Sequence, residues 1–179
     1  MMNQLVADPQ ATVLPVWMRN LSTGVCVVLF GKVGAGKTSA AYNGIMKLIQ
    51  YGHTGISVEP EPPELFNRAL KNAANFDFAP GQLTRKFMHQ RATDLHSHVM
   101  AMPDFYYLGE LRAVDESTHQ RIKVGIHAAN CGKTALAELH AGTLDQARQA
   151  LLDLLVLNGL EEESRDTTFI FHDCARDTN

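Results

Sequence analysis

The most constraining feature of the sequence is an apolar run that leads into a glycine-rich loop. Val25–Phe30 are six apolar residues, Gly31 follows them, and Gly36-Lys37-Thr38 comes after four more positions. This spacing matches the phosphate-loop pattern G-x-x-x-x-G-K-[ST], which joins a buried strand to a helix. The sequence therefore predicts a strand, a phosphate-binding loop and a helix, in that order.

Each residue type in this loop suits the binding of a phosphate. Glycines permit positive φ and let backbone N–H groups curl closely around a phosphate, and the helix that follows points its positive end at the same anion. Lys37 is expected to reach the β- and γ-phosphates of a nucleoside triphosphate, and Thr38 to offer its hydroxyl to Mg²⁺. The predicted nucleotide-binding residues are Gly31, Gly34, Ala35, Gly36, Lys37, Thr38 and Ser39.

Composition indicates an ordinary globular protein. The 179 residues carry a net charge of −3, with 45% hydrophobic and 20% charged residues, so general nucleic-acid binding is not expected. The three scattered cysteines and the absence of a signal-peptide pattern predict a cytoplasmic chain, and no apolar run is long enough to span a bilayer. We expect residues 1–21 to form a short lead-in and residues 22–179 to form one phosphate-loop domain.

Hydrophobic periodicity predicts that strands and helices alternate along the chain. The predicted strands are Val25–Phe30, Thr54–Val58, Asp104–Leu108, Thr134–Leu139 and Thr167–Phe171, and the predicted helices are Ser39–Gln50, Glu64–Ala74, Thr84–Met102, Ser117–Asn130 and Leu144–Leu157. This order favours a parallel sheet with right-handed crossovers. Ligands of such sheets bind at the carboxyl ends of the strands.

Three residues with useful chemistry fall at predicted strand ends. Glu110 can polarise an attacking water or hold a water ligand of Mg²⁺, but it can equally form an ion pair with Arg112 on a surface turn. Glu59 has the same two interpretations. His140 ends a strand, although a lone histidine is more often structural. Arg121, on a predicted helix, is most simply a solvated charge.

Three segments together resemble the type II/type IV secretion and pilus-retraction (twitching motility) ATPases. The segments are Gly31–Thr38, Met102–Arg112, and a third made of Ala128–Gly132 and Glu138–Ala141. The second is similar to that family's unusual Walker B, in which Gly-Glu follows the strand and the usual Asp is absent. The third resembles the family's "His box". This resemblance implies an α/β fold of the P-loop NTPase (RecA-like) type, a parallel sheet with helices on both faces.

The resemblance also implies ATP and Mg²⁺ as cofactors and a set of roles. Glu110 would be the catalytic carboxylate, Glu59 a second carboxylate, and His140 the sensor of the γ-phosphate. Because the family's Glu-Asp-Pro is replaced by Glu59-Pro60-Glu61-Pro62, both Glu59 and Glu61 are candidates for the second role. The candidates for a cation that a neighbouring subunit supplies are Arg85, Arg91 and Arg112.

In that family the ATPase is a hexameric motor at the cytoplasmic membrane. The implied function is ATP hydrolysis in a secretion, type IV pilus or conjugation apparatus, with inner-membrane platform components as partners and a cytoplasmic or peripheral inner-membrane location. The family's separate N-terminal domain has no counterpart in the sequence, so weak self-association is expected. Two alternatives stay open: a non-hydrolysing nucleotide-binding adaptor of such a motor, and a small nucleotide or metabolite kinase.

Overall fold

The computed structural model describes residues 24–59, 87–89 and 103–175, with side chains for all of these except residues 87–89. The predicted lead-in at residues 1–21 and the predicted helix Glu64–Ala74 lie outside the described residues. So do Glu61, Arg85 and Arg91.

The described chain alternates strands with helices. Its elements are β1 (Val25–Gly31), α1 (Lys37–Gln50), β2 (Gly55–Ser57), β3 (Phe87–His89), β4 (Phe105–Glu110), α2 (Thr118–Asn130), β5 (Thr134–His140), α3 (Leu144–Leu157) and β6 (Thr168–Asp173). The strands form one six-stranded sheet in the order β3-β2-β4-β5-β1-β6, and every pair is parallel. The prediction of a parallel α/β sheet is confirmed.

Helices cover both faces of the sheet, and β1 is buried between them. On one face Val27 and Leu29 pack with Ile45 of α1. On the other face β1 packs with residues of α2 and α3, among them Ile122 and Leu151. A strand that is buried on both sides must be apolar throughout, and this is why Val25–Phe30 is a continuous hydrophobic run.

The helix predicted over Thr84–Met102 is wrong at Phe87–His89, which form β3. This short strand pairs in parallel with β2, with Phe87 opposite Gly55 and His89 opposite Ser57. The local sequence favours a helix, but the edge of β2 offers backbone hydrogen bonds from a distant part of the chain. Such long-range pairing overrides local propensity.

Arg121 is fully buried, so its prediction as a solvated charge is wrong. Its guanidinium donates to the carbonyl oxygens of Leu108 (2.7 Å) and Glu110 (2.9 Å) and to Asp115 Oδ2 (2.5 Å). It thereby fixes the turn that follows β4. Partial burial raises the pKa of Asp115, but hydrogen bonds from Ser117 and the nearby guanidinium outweigh this effect, so the pKa is lowered.

Replacing Arg121 with methionine should destabilise the fold by about 3–5 kcal/mol, because it leaves two backbone carbonyls and one carboxylate without their partner. Arg148→Met is the matched control, since Arg148 is exposed on α3 and surface changes usually cost less than ~0.5 kcal/mol. Urea unfolding measures both changes. Equal unfolding midpoints for the two variants would contradict the buried role of Arg121.

Candidate nucleotide site

The predicted phosphate loop runs from the end of β1 to the start of α1. Gly34 and Gly36 both have φ of +79°, a conformation that glycine adopts without the steric cost that other residues meet. The N-cap of α1 is Gly36, and no side chain caps the helix. The first N–H groups of α1 are therefore available to an anion that enters the loop.

The Lys37 side chain folds over the loop. Its ammonium Nζ donates to the carbonyl oxygens of Gly31 (3.1 Å) and Lys32 (3.3 Å), and the residue is only 7% exposed. A bound phosphate would offer this ammonium charged acceptors, which form stronger hydrogen bonds than carbonyl oxygens do. Ser39, also predicted to bind nucleotide, is exposed on the first turn of α1.

The residue that the sequence reasoning missed is Glu138 on β5. It is 2% exposed, and its carboxylate accepts hydrogen bonds from the hydroxyls of Thr38 (3.0 Å) and Tyr107. Burial raises the pKa of Glu138, while these two hydrogen bonds oppose the shift. A buried carboxylate therefore contacts the threonine that was predicted to bind Mg²⁺.

Glu59 lies beside this group, after β2. Its Oε2 accepts from the hydroxyls of Tyr42 (2.6 Å) and Ser57 (2.9 Å). Gly109 of β4 has φ of +68°, and a Cβ atom there would lie 2.8 Å from Glu59 Cγ. A glycine at position 109 is needed for this close approach between the ends of β2 and β4.

Two tyrosines link the two carboxylates. The rings of Tyr42 and Tyr107 meet edge to face, with centroids 5.3 Å apart and an interplanar angle of 74°. Burial raises the pKa of both tyrosines, and the negative charges of Glu59 and Glu138 raise it further. Both hydroxyls therefore stay protonated at neutral pH and act as donors to the carboxylates.

Glu110 and His140 line a cavity of about 320 Å³, whose lining also includes Asp153. Glu110 Oε2 forms a 2.6 Å ion pair with Arg112, whose side chain is 62% exposed. This is the surface pairing that the sequence left open as an alternative. The structure thus connects Glu59 through Tyr42 and Tyr107 to Glu138, the partner of Thr38. It brings Glu110 together with His140.

The oxygen donors near Thr38 fit Mg²⁺, which prefers hydroxyl, carboxylate and phosphate oxygens. Within residues 24–59 and 103–175, no cluster of three or more His, Cys, Asp or Glu side chains could hold a metal by itself.

Three proteins of known structure share this architecture. The KaiC-like protein PH0186 of Pyrococcus horikoshii has a TM-score of 0.54 and 20% identity, over 72% of this chain and 68% of that one. The ATPase DotB of Legionella pneumophila has a TM-score of 0.55 and 15% identity, over 84% of this chain and 41% of that one. The pilus retraction motor PilT with bound ADP has a TM-score of 0.53 and 19% identity, over 82% of this chain and 39% of that one. The sequence matches no protein-family model and no curated protein.

These similarities show the fold: the chain has a RecA-like α/β fold, a parallel sheet with helices on both faces. Of these proteins, DotB is an ATPase and PilT is a pilus retraction motor. The chain spans only 41% and 39% of their respective lengths.

Proposed function

We propose that this chain binds ATP with Mg²⁺ at the predicted phosphate loop and hydrolyses it as a subunit of a secretion, type IV pilus or conjugation apparatus. One observation carries the proposal: a buried strand and a glycine loop deliver Lys37 and Thr38 to the start of α1 in a P-loop fold. The likeness in fold to DotB and PilT supports it.

In the proposed reaction the chain's own groups divide the work. Loop N–H groups and the Lys37 ammonium bind the phosphates, and the Thr38 hydroxyl is a ligand for Mg²⁺, which neutralises phosphate charge when bound. Glu110 accepts a proton from the attacking water, and Glu59 is the second carboxylate. His140 contacts the γ-phosphate and reports its presence.

One observation favours the adaptor alternative. Glu110 is paired with Arg112, so a chain locked in this pairing would bind nucleotide without turnover. The kinase alternative has less support, because residues 117–140 contain one arginine, Arg121, and its guanidinium is engaged beneath the turn after β4. That arginine is not placed to act as a mobile phosphate clamp.

The assembly and location are part of the proposal. No helix in the described portion of the chain is both long and apolar enough to cross a membrane, so the proposed inner-membrane location rests on platform partners. We propose that copies of the chain associate around the nucleotide and that a neighbour's cation completes the site. Of the three candidate arginines, Arg112 is the one among the described residues, and its side chain is exposed.

A concentration series tests this function. Phosphate release per chain should be low in dilute protein and rise with concentration, because a cation supplied by a neighbour is worth ~10³–10⁵ in rate in related enzymes. Light scattering on the same samples should show monomers passing to weakly associated species. A stable hexamer, or high activity that is independent of concentration, would contradict weak association. Phosphate transfer to an added nucleoside monophosphate in place of release to water would favour the kinase.

A further inference from the structure

Glu138 occupies a central position in the sheet. It pairs in register with Leu29 of β1 on one side and with Glu110 of β4 on the other. Its neighbour two residues away, Leu136, packs in the core beneath α1. Side chains alternate along a strand, so Glu138 stands on the face of the sheet that carries α1 and the predicted phosphate loop.

Burying a carboxylate at this position costs free energy. Leu29 and Leu136, its neighbours on the same face, are buried and apolar, and burying a charge is costly unless it is paired or hydrogen-bonded. Both carboxylate oxygens of Glu138 are engaged, one by Thr38 and the other by Tyr107. These contacts hold the carboxylate at the first turn of α1.

The direction of the Thr38 hydrogen bond matters for a cation. A hydroxyl has one proton and two acceptor lone pairs. Because the proton of Thr38 is donated to Glu138, both lone pairs of the hydroxyl oxygen remain available to a metal ion. The carboxylate also places negative charge next to the hydroxyl that would bind the cation. Glu110, by contrast, is bonded to Arg112.

We propose that Glu138, supplied by β5 beside the phosphate-loop strand, is the positioning carboxylate of the Mg²⁺ site and acts by orienting the Thr38 hydroxyl toward the cation. This inference rests on the proposed nucleotide binding and deepens it. It assigns the acidic partner of Thr38 to β5, whereas the resemblance implied a carboxylate after β2 and one at the end of β4.

The test uses Mn²⁺ as a spectroscopic probe. Electron paramagnetic resonance would measure Mn²⁺ affinity of the chain with bound ADP, and calorimetry would measure ADP affinity in EDTA. Glu138→Gln should weaken Mn²⁺ binding by about 10–100-fold, the usual effect of removing a group that orients a metal ligand. Its ADP affinity in EDTA should stay unchanged. Glu161→Gln, at an exposed position, is the control for charge and should leave both values unchanged.

Two further variants keep the test decisive. Glu138→Asp retains the charge but shortens the side chain, so it should also weaken Mn²⁺ binding and gives a reading if Glu138→Gln does not fold. The losses in Glu138→Gln and Thr38→Val should be non-additive in the double variant, because the two residues act as a unit.

The outcomes separate this inference from the proposed function. If the wild-type chain binds ADP and Mn²⁺ but Glu138→Gln and Glu138→Asp keep wild-type Mn²⁺ affinity, the role of Glu138 is overturned while nucleotide binding stands. A loss seen in Glu110→Gln alone would also overturn it and assign the role to β4. If the wild-type chain binds no nucleotide, the proposed function fails and this inference fails with it.

Discussion

Replacing Lys37 with alanine should lower the affinity for MgATP by about 100-fold or more, to the point where binding is no longer detected at ordinary concentrations. Lys37 is only 7% exposed, and its ammonium already lies over the loop, where the carbonyl oxygens of Gly31 and Lys32 accept its protons. Charge-assisted hydrogen bonds contribute ~1.5–3 kcal/mol each, and every 1.4 kcal/mol is about tenfold in affinity. Calorimetry measures the loss directly.

The control for this variant is Lys123→Ala. Lys123 lies on α2 in an exposed ion pair with Glu163, with an N–O distance of 3.8 Å, so its removal should change neither nucleotide affinity nor stability beyond ~0.5 kcal/mol. The Lys37→Ala chain should unfold at the same urea concentration as the wild type or a higher one. Unchanged ATP affinity in a folded Lys37→Ala chain would remove the basis of the proposed function.

Replacing Glu110 with glutamine should separate binding from turnover. The amide keeps the shape of the side chain but cannot take a proton from water, and general bases contribute ~10²–10⁴ in rate. We therefore expect normal MgATP affinity with phosphate release slowed by about 10²-fold and by at least ~10-fold. The rate comes from a phosphate-release assay at saturating MgATP, and the affinity from calorimetry.

Glu161→Gln again serves as the control, because Glu161 is exposed and far along the chain after α3. Wild-type turnover in Glu110→Gln would show that another group activates the water. A wild-type chain that binds MgATP but releases no phosphate would favour the adaptor alternative. In that case the Glu110–Arg112 ion pair would persist when nucleotide is bound.

The parts of the fold that follow from local chemistry were predictable from the sequence. The strand, loop and helix around Gly31–Thr38 follow from the motif. The bounds of α3 were predicted as observed, because Thr143 accepts a hydrogen bond from the N–H of Gln146 at 3.2 Å and Asn158-Gly159 ends the helix, with Gly159 at φ of +63°. Such caps depend on only a few adjacent residues, so they can be predicted from the local sequence.

The features that depend on distant contacts were not predictable in the same way. β3 forms because Phe87–His89 meet the edge of β2, and Arg121 is buried because the end of β4 presents the carbonyls of Leu108 and Glu110 to it. Periodicity within one helix or strand does not reveal these contacts with another strand. The pairing of Glu110 with Arg112 was one of two open alternatives, and residue spacing alone does not choose between them.

Glu138 is a different case, because a signal was present. In the run Thr134–His140 it is the one carboxylate among apolar positions, and strand alternation places it on the same face as Leu136. An acidic residue on an apolar strand indicates a buried polar role. What the sequence does not contain is the 3.0 Å contact with Thr38, which requires β5 to lie next to β1.

The most direct test of nucleotide binding at the phosphate loop is a calorimetric comparison of ATP, ADP and AMP with the wild-type chain in Mg²⁺. In the proposed binding mode, Lys37, the loop N–H groups and Thr38 contact the β- and γ-phosphates. We therefore expect one nucleotide bound per chain, with similar affinities for ATP and ADP. The affinity for AMP, which lacks those phosphates, should be lower by about 100-fold or more. Equal affinity for all three nucleotides, or no binding of any, would contradict it.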